Sequence, residues 1–393
     1  MRSLASSVSL EKVADINPSL PLAPESDDEV AFVPMSAVDE DSTDVIECDA
    51  RPYYEVRKGY TPFIRNDVLV AKITPCFENG KIALANLTRP VGFGSTEFHV
   101  VRPRKDVLDP RYLVHFLRQE RIRTEGARRM TGSGGQRRVP SHFVAGLSIP
   151  LPPLPEQRRI AAILDQADEL RAKRRSALAQ LDALAQSIFV DMFGDPATNP
   201  KGWPVRSVED VAEIVSGATP RTDVPEYWEG DVSWVTPKEL SGLEGIYIDR
   251  TERRITEAGL QSCAATVMPA GAVLFSSRAP IGHTAICAAP MATNQGFKSF
   301  VPRAGLLDEH FLLHWLRLRR EFLEGLGTGA TFKEVSKAVV SRVRIVLPPM
   351  PMQKKFAQAA THVETLRKRG IASLRLVCEQ FDTLQDRAFR GEL

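Results

Sequence analysis

The sequence predicts an α+β protein with two mixed α/β domains and two long helices, arranged as a pseudo-two-fold internal repeat. Segments of the first half return in the same order in the second half, at a period of about 197 residues in a chain of 393. In each half, short β-rich runs broken by Gly, Pro and Asn precede a long stretch with helical periodicity. A repeat of this length indicates a duplicated domain rather than a solenoid unit.

The repeat also indicates where the domains end. Four pairs of segments match. EKVADI from Glu11 returns as EDVAEI from Glu209, and LDPRYLVHFL from Leu108 returns as LDEHFLLHWL from Leu307. TGSGGQRRV from Thr131 returns as GTGATFKEV from Gly327, and LPPLPEQRRIAAIL from Leu151 returns as LPPMPMQKKFAQAA from Leu347. Proline restricts the residue before it to extended geometry, so the two proline-rich phrases mark boundaries. We place the mixed domains at residues 1–153 and 197–349, and the helices at 154–196 and 350–393.

Inside each mixed domain the pattern predicts strands followed by one short helix. The β-rich runs lie at residues 67–73, 98–103 and 272–277. Apolar stripes at helical spacing predict a short helix at 112–123 and its counterpart at 310–323.

Both long helices carry a coiled-coil seam, in which apolar residues recur at alternating steps of four and three. The seam of the first helix is Ile160, Leu164, Ala167, Arg171, Arg174, Leu178, Leu181, Ala185, Ile188 and Met192. That of the second is Phe356, Ala360, Val363, Arg367, Gly370, Leu374, Val377, Phe381, Leu384 and Ala388. A long helix must bury its stripe, and the matching copy is the obvious partner. We expect an antiparallel pair, with one mixed domain at each end of the rod.

Composition limits the classes of function. The 51 basic and 49 acidic residues give a net charge of +2, but residues 25–55 are acid-rich and residues 102–138 are base-rich, which favours one face for a polyanion. The chain has no apolar run of membrane-spanning length and no apolar signal core before Glu11, so we expect a cytoplasmic protein. Its five cysteines form no CxxC pair, which argues against a zinc site.

No catalytic motif is found in the sequence. A nucleotide-binding P-loop, a GxGxxG fingerprint, a GxSxG elbow and an HExxH pair are all missing, as is the Asp/Asn-Pro-Pro-Tyr/Phe motif of amino-methyltransferases. His310 and His314 have metal-ligand spacing, but no Cys or carboxylate completes a shell. We therefore expect no catalytic residue, no bound cofactor and no metal, and a protein that reads or scaffolds.

Three stretches resemble contact surfaces for nucleic acid, and two of them occur in both halves. They are a strand leading into a Pro/Gly turn, a glycine-rich loop with cations, and the Asn-Gln-Gly-Phe-Lys run that begins at Asn294. Glycine-rich backbone can approach phosphates, while Arg, Asn and Gln can bond base edges. The candidate DNA-binding residues are Lys72, Thr74, Lys81, Gln136, Arg137, Arg138, Ser276, Ser277, Arg278, Asn294, Gln295, Lys298, Thr331 and Lys333. The competing interpretation is that each stretch is an ordinary polar hairpin tip.

Several phrases resemble the specificity subunits of Type I restriction–modification systems, and the resemblance covers essentially the whole chain. The phrases are LPPLPEQRRI from Leu151, DMFGDP from Asp191, NQGFK from Asn294 and AFRGEL from Ala388. The second junction departs from the pattern, because Met352 stands where the first junction has Glu156.

The resemblance implies two target-recognition domains separated by conserved spacer helices, each domain reading half of a bipartite, asymmetric site in double-stranded DNA. It implies two modification subunits that bring S-adenosylmethionine and methylate adenine at N6, and motor–nuclease subunits that use ATP and Mg²⁺. Three alternatives stay open: a methyltransferase-only or Type II-like system, a scaffold whose domains bind protein, and an enzyme with an unrecognised site.

Overall fold

The computed structural model describes residues 6–45, 49–133, 135–329 and 333–393. The chain forms two compact units. One comprises the chain up to Arg175 together with Ser373–Leu393, and the other comprises Ser176–Ala372. The predicted domain boundaries at residues 153, 196 and 349 stay a prediction.

The first unit contains two four-stranded sheets. Its strands are β1 (Ser7–Ser9), β2 (Ala14–Ile16), β3 (Glu29–Val33), β4 (Asp49–Pro52), β5 (Thr61–Ile64), β6 (Val68–Ala71), β7 (Ile82–Leu84), β8 (Val91–Gly94), β9 (Phe98–Pro103) and β10 (Ser148–Pro150). The sheet orders are β2-β9-β6-β7 and β4-β3-β8-β5, and β1 pairs with β10. The helices are α1 (Tyr53–Val56), α2 (Pro110–Leu117), α3 (Glu120–Arg128), α4 (Ser141–Ala145) and the long α5 (Leu154–Phe193), whose residues after Arg175 belong to the second unit.

The second unit repeats this plan with a larger central sheet. Its strands are β11 (Val205–Ser207), β12 (Ala212–Ser216), β13 (Trp228–Val235), β14 (Tyr247–Ile248), β15 (Arg254–Ile255), β16 (Val273–Phe275), β17 (Thr284–Cys287), β18 (Ala292–Thr293), β19 (Lys298–Pro302) and β20 (Arg344–Val346). The sheet orders are β12-β19-β16-β17-β14 and β15-β13-β18, and β11 pairs with β20. The helices are α6 (Val208–Val211), α7 (Pro237–Ser241), α8 (Glu257–Gln261), α9 (Glu309–Leu318), α10 (Arg320–Gly325), α11 (Lys337–Ser341) and the long α12 (Met350–Arg390), whose residues from Ser373 onward belong to the first unit.

The predicted strands are present as β6, β9 and β16, but each predicted short helix is two helices. Gln119 adopts extended backbone between α2 and α3, and its buried side chain donates to the carbonyl of Phe116 at 2.9 Å. This bond ends α2 and turns the chain, which residue spacing alone does not reveal. Arg319 stands at the matching break between α9 and α10.

The long helices pack antiparallel, as the seams predict. In the first unit, Ile160 and Leu164 near the start of α5 share a core with Phe381 and Ala388 near the end of α12. In the second unit, Phe189 and Phe193 near the end of α5 share a core with Phe356 and Ala360 near the start of α12. Ring centroids of Phe189 and Phe356 lie 5.3 Å apart.

The seam residues are almost all withdrawn from solvent. Every seam position of α12 is buried or half-buried, and in α5 only Arg174 is exposed. Arg171 and Arg367, at matched seam positions, each interact with a residue of the opposite helix. The Arg171 guanidinium lies over the Phe381 ring at 4.3 Å, and Arg367 donates to Asp182 at 2.8 Å.

A buried glutamine joins each mixed domain to its long helix. Gln157 Oε1 accepts from the Asp109 amide at 2.8 Å, and its Nε2 donates to the carbonyls of Val107 and Pro152. Gln353 makes the equivalent bonds to Asp308, Leu306 and Pro348. The repeated Gln of the two boundary phrases is therefore a structural residue. In the described part of the chain, no helix is both long enough and apolar enough to cross a bilayer.

Candidate nucleic-acid interface

In the first unit, the strand-turn stretch and the glycine-rich loop lie side by side. Beyond β6, the Thr74 amide donates to the Arg137 carbonyl at 2.9 Å, and the Val139 amide donates to the Lys72 carbonyl at 2.8 Å. Thr131 and Arg138 close the loop with two further backbone bonds. Two stretches that the sequence marks separately, some 60 residues apart, therefore form one surface.

Gly132 is required by the shape of this loop. Its φ is +135°, and a Cβ there would lie 2.5 Å from the carbonyl oxygen of Gln136. A side chain at this position would strain the backbone and clash with it. The loop therefore holds its backbone close-packed while Gln136 and Arg137 stay exposed.

The two arginines of the loop differ in their freedom. Arg138 forms a bidentate ion pair with Glu97, with Nε–Oε2 at 2.9 Å and Nη2–Oε1 at 2.8 Å. This hydrogen-bonded guanidinium lowers the pKa of the Glu97 carboxyl. Arg137 lies 4.0 Å from Glu78 and its side chain is 52% exposed. Arg137 is thus the better placed of the two to meet a new anion.

The remaining candidates of the first unit are partly engaged inside the protein. Lys72 and Lys81 are half-buried, and Lys81 Nζ donates to the Met35 carbonyl at 3.4 Å. The Thr74 hydroxyl donates to Glu78 at 3.1 Å. Sequence reasoning missed Glu78 and Glu97, because acids that hold a basic loop carry no motif of their own.

In the second unit, all three marked stretches meet. The Ser277 amide donates to the Gly296 carbonyl at 2.7 Å, and the Val335 amide donates to the Ser277 carbonyl at 2.9 Å. Glu334 receives ion pairs from Arg278 at 2.8 Å and Lys298 at 3.2 Å. Burial opposes ionisation of Glu334, yet these two hydrogen bonds lower its pKa.

The candidates of the second unit divide into buried and exposed residues. Ser276 and Ser277 are fully buried, and their hydroxyls donate to the carbonyls of Pro280 and Gly296. Lys298 is also buried. These three side chains shape the loop from within.

Three candidates of this unit stand at the surface, namely Arg278, Gln295 and Lys333. Asn294 is half-buried, and its side-chain oxygen accepts from the Gly296 amide at 2.9 Å. Thr331 lies outside the described residues.

A loop that the sequence did not mark joins this surface. The Thr219 hydroxyl donates to Gln295, and the Ala218 amide donates to the Thr293 carbonyl at 3.0 Å. A Cβ on Gly217 would lie 1.8 Å from the Asn294 carbonyl oxygen, so only glycine allows this approach. Arg221 in the same loop is 74% exposed and pairs with Asp223 at 2.7 Å. The Gly-Ala-Thr-Pro-Arg run after β12 is the sequence feature from which this loop could have been recognised as part of the surface.

The histidines at metal-ligand spacing are core residues. His310 Nε2 lies 2.8 Å from the Tyr247 hydroxyl, and His314 packs edge-on against Phe356 at 5.1 Å between ring centroids. Burial lowers the pKa of His314 to about 3. Across the described ranges, no group of three or more His, Cys, Asp or Glu is placed to hold a metal ion.

Comparison with known proteins identifies the family. The sequence matches the Type I restriction modification DNA specificity domain twice, over residues 29–180 and 200–372. The chain belongs to this family. The two matches cover both copies of the internal repeat.

Curated specificity proteins are among its relatives. The chain is 39% identical over 168 residues to the Type I restriction enzyme MjaIX specificity subunit of Methanocaldococcus jannaschii, an alignment that covers 42% of this chain and 39% of that protein. It is 36% identical over 184 residues to the EcoAI specificity subunit of Escherichia coli, covering 46% of this chain and 31% of the relative. The alignments thus span less than half of either relative.

A solved structure shares the whole fold of this specificity protein. It comes from a study of complex assembly and conformational transition of the type I R-M system, and it matches with a TM-score of 0.62 over 100% of this chain and 99% of that one. The sequence identity is 23%, so the likeness shows the fold alone. The antiparallel long helices and two mixed domains are therefore an architecture found in a solved protein.

Proposed function

We propose that this chain is the DNA-recognition subunit of a Type I restriction–modification complex and reads a bipartite, asymmetric site. The observation that carries the proposal is that the two units have the same backbone arrangement of loops but expose different side chains on it. Equivalent backbone bonds join the strand turn to the glycine-rich loop in each unit. The exposed residues are Gln136 and Arg137 in one and Arg278, Gln295 and Lys333 in the other. Two readers of different sequences need this combination.

The chemistry of these side chains suits a DNA duplex. Cations at a loop tip can neutralise phosphates, and Arg, Lys and Gln can bond base edges in the major groove. Arg221 and Thr219 extend the proposed reading surface of the second unit, because Thr219 is bonded to Gln295. The acids Glu97 and Glu334 hold the loops and contribute no contact to DNA.

We propose that this subunit is non-catalytic and positions partners. Two modification subunits would dock on it, bring S-adenosylmethionine and methylate adenine at N6, and restriction subunits with ATP and Mg²⁺ would join them. Target adenines in a duplex must be flipped out to be methylated, which requires a partner with its own base pocket. The family membership supports this assignment.

The deciding experiment has two stages. The chain is first co-purified with the methyltransferase encoded next to it, and binding to duplex DNA is measured across a salt series. Phosphate contacts make affinity fall linearly on a log–log plot of binding constant against salt. Methylated adenines in DNA modified by the complex are then mapped. A split site with two constant halves is expected. A complex without salt-dependent DNA binding and without methylation would favour a protein-binding scaffold instead.

A further inference from the structure

The second unit contains a polar cavity of about 380 Å³ beside the long helices. Its walls come from α5, α9, α12 and the loops around Gly245 and His283. The charged side chains that line it are Asp182, Arg317, Arg320, Glu364 and Arg367. Its volume falls within the range of small-molecule sites. Nothing in the proposed DNA reading uses it.

Arg317 has an internal control in the repeat, because Arg118 occupies the same place one residue after the matched helical phrase. Burial lowers the pKa of both guanidinium groups. Arg118 donates to the carbonyls of Glu40, Ser42 and Ile82, and two of these bonds measure 2.6 and 2.9 Å. In Arg317 only Nε is bonded, to the Thr284 hydroxyl at 3.2 Å, among the residues that the structure describes. Arg317 lines the cavity, and its two terminal nitrogens have no bond to the described residues, whereas those of Arg118 meet backbone oxygen.

Two further side chains that line this cavity have polar atoms without a partner among the described residues. Glu364 is 5% exposed and, within the described ranges, makes no hydrogen bond. Its Oε1 is sealed against the backbone of Gly245, which leaves Oε2 as the oxygen that an occupant could reach. Arg367 uses Nε to hold Asp182 at 2.8 Å, while its Nη1 is buried without a partner. A buried charge without a hydrogen bond is costly, so the unbonded Glu364 carboxylate beside the unbonded terminal nitrogens of Arg317 indicates a missing occupant.

The charges define what the occupant must offer. Three guanidiniums face two carboxylates, which leaves one positive charge in excess. Burial first, and then the neighbouring Arg320, lower the pKa of His283, so this ring adds no charge near neutral pH. The guanidiniums require oxygen acceptors, and Glu364 requires a hydrogen-bond donor. An oxyanion that also carries an O–H group meets both needs.

We propose that this cavity binds inorganic hydrogen phosphate, with the oxygens on Arg317 and the P–OH donating to Glu364. Sulfate has the same shape but no proton to donate at neutral pH, and a DNA phosphodiester also lacks one. The site thus selects inorganic phosphate over the DNA backbone. Bound phosphate would satisfy groups on α9 and α12 together and stabilise the second unit.

The test is calorimetric titration of the full chain at pH 7 with inorganic phosphate, and separately with sulfate, at constant ionic strength. Phosphate should bind at least about tenfold more tightly than sulfate, since the Glu364 carboxylate repels an anion that has no donor. Arg317→Met should weaken phosphate binding by at least about tenfold. Glu364→Gln should remove the preference, because an amide donates to either anion. Arg250→Met, at a side chain that is 92% exposed, should change neither affinity.

Equal affinity of the wild-type chain for phosphate and sulfate would overturn the proposal, as would no binding of phosphate. So would wild-type phosphate affinity in Arg317→Met. If Lys333→Ala abolishes phosphate binding while Arg317→Met does not, the anion binds the DNA-reading surface and the cavity is not its site. Should Arg317→Met fail to fold, the loss of preference in Glu364→Gln still decides the outcome.

Discussion

Arg138 and Glu334 occupy the same place in the two copies of the repeat and carry opposite charges. Each pairs through backbone bonds with a threonine of its loop, Thr131 or Thr328. Each also bridges to a residue shortly beyond a strand, Ile73 after β6 or Arg278 after β16. Arg138 is held by Glu97, whereas Glu334 is held by Arg278 and Lys298. An ion pair thus holds the loop in both copies, but the loop supplies the cation in the first copy and the anion in the second. This changes the surface charge while the backbone arrangement stays the same.

We predict that Glu97→Gln frees Arg138 to contact DNA. One more cation would become available, so the salt slope of DNA binding should steepen by about one unit and affinity at low salt should rise. The free energy of unfolding should change little, since a partly exposed ion pair contributes little to stability. Salt titration of DNA binding and urea unfolding measure the two effects. An unchanged slope would show that Arg138 does not reach phosphate even when it is released.

Arg137→Ala, Arg221→Ala and Lys333→Ala should separate base contacts from phosphate contacts. Loss of a base contact should cost about 1–3 kcal/mol and relax one position of the methylated site. Loss of a phosphate contact should weaken all sequences alike and flatten the salt slope by about one unit. Arg137 should affect one half-site, and Arg221 and Lys333 the other. Lys173→Ala, on the exposed face of α5, is the matched control. Intact binding and methylation in all three variants would place the reading surface elsewhere.

Substitution of the boundary glutamine Gln353 should lower the free energy of unfolding more than substitution of an exposed residue on the same helix. Gln353→Leu leaves the Asp308 amide and the carbonyls of Leu306 and Pro348 without partners, and each unsatisfied buried group costs about 1–3 kcal/mol. Unfolding free energy should therefore fall by about 2 kcal/mol or more. Gln358→Leu, at an exposed position of α12, should stay within about 0.5 kcal/mol of the wild type. Equal stabilities of the two variants in urea titration would contradict this structural role.

His314 should make the second unit sensitive to mild acid. Its pKa is lowered to about 3 from 6.5 by burial, so the unfolded chain takes up a proton first as pH falls. The stability that neutral His314 provides is complete above pH 6.5 and is lost progressively between pH 6.5 and 3. His314→Leu should flatten this part of the stability curve. His142→Leu, at an exposed position, should leave the curve unchanged. A wild-type curve that is flat over the same range would show that another group compensates.

The repeat and the helix pairing could be predicted from sequence because each rests on many residues in a fixed pattern. The seam steps recur along the whole length of both long helices, so a single polar residue in the seam does not change the period. Which candidate residues contact DNA stays a prediction. Glycine-rich context marks loop residues such as Gln136 and Lys333 in the sequence, but the buried state of Ser276, Ser277 and Lys298 depends on which loops fold over them. Thr219 and Glu97 were missed because only a tertiary contact with Gln295 or Arg138 gives them a role.

The long helices offer a test of whether the separation of the two mixed domains and the DNA sequences that they read are independent. Both helices contribute to both units, since the division falls after Arg175 and after Ala372. Leu178 of α5 fills the space above Gly370 of α12, where a Cβ would lie 2.7 Å from its Cδ2, so these positions face each other. Four residues inserted after Ala179, matched by four after Arg369, add about one turn, or about 6 Å, to each helix and roughly preserve the apolar face.

Since B-DNA rises about 3.4 Å per base pair, the paired insertion should lengthen the unread gap of the methylated site by one or two base pairs. Both half-site sequences should stay as they are, because no residue of the reading loops changes. Single insertions in one helix are the control and should reduce methylation, since they shift one seam against the other. Sequencing of methylated adenines in DNA modified by the mutant complex gives the answer. Full methylation at the original gap would show that the helices do not set the spacing, and altered half-sites would show that they take part in reading bases.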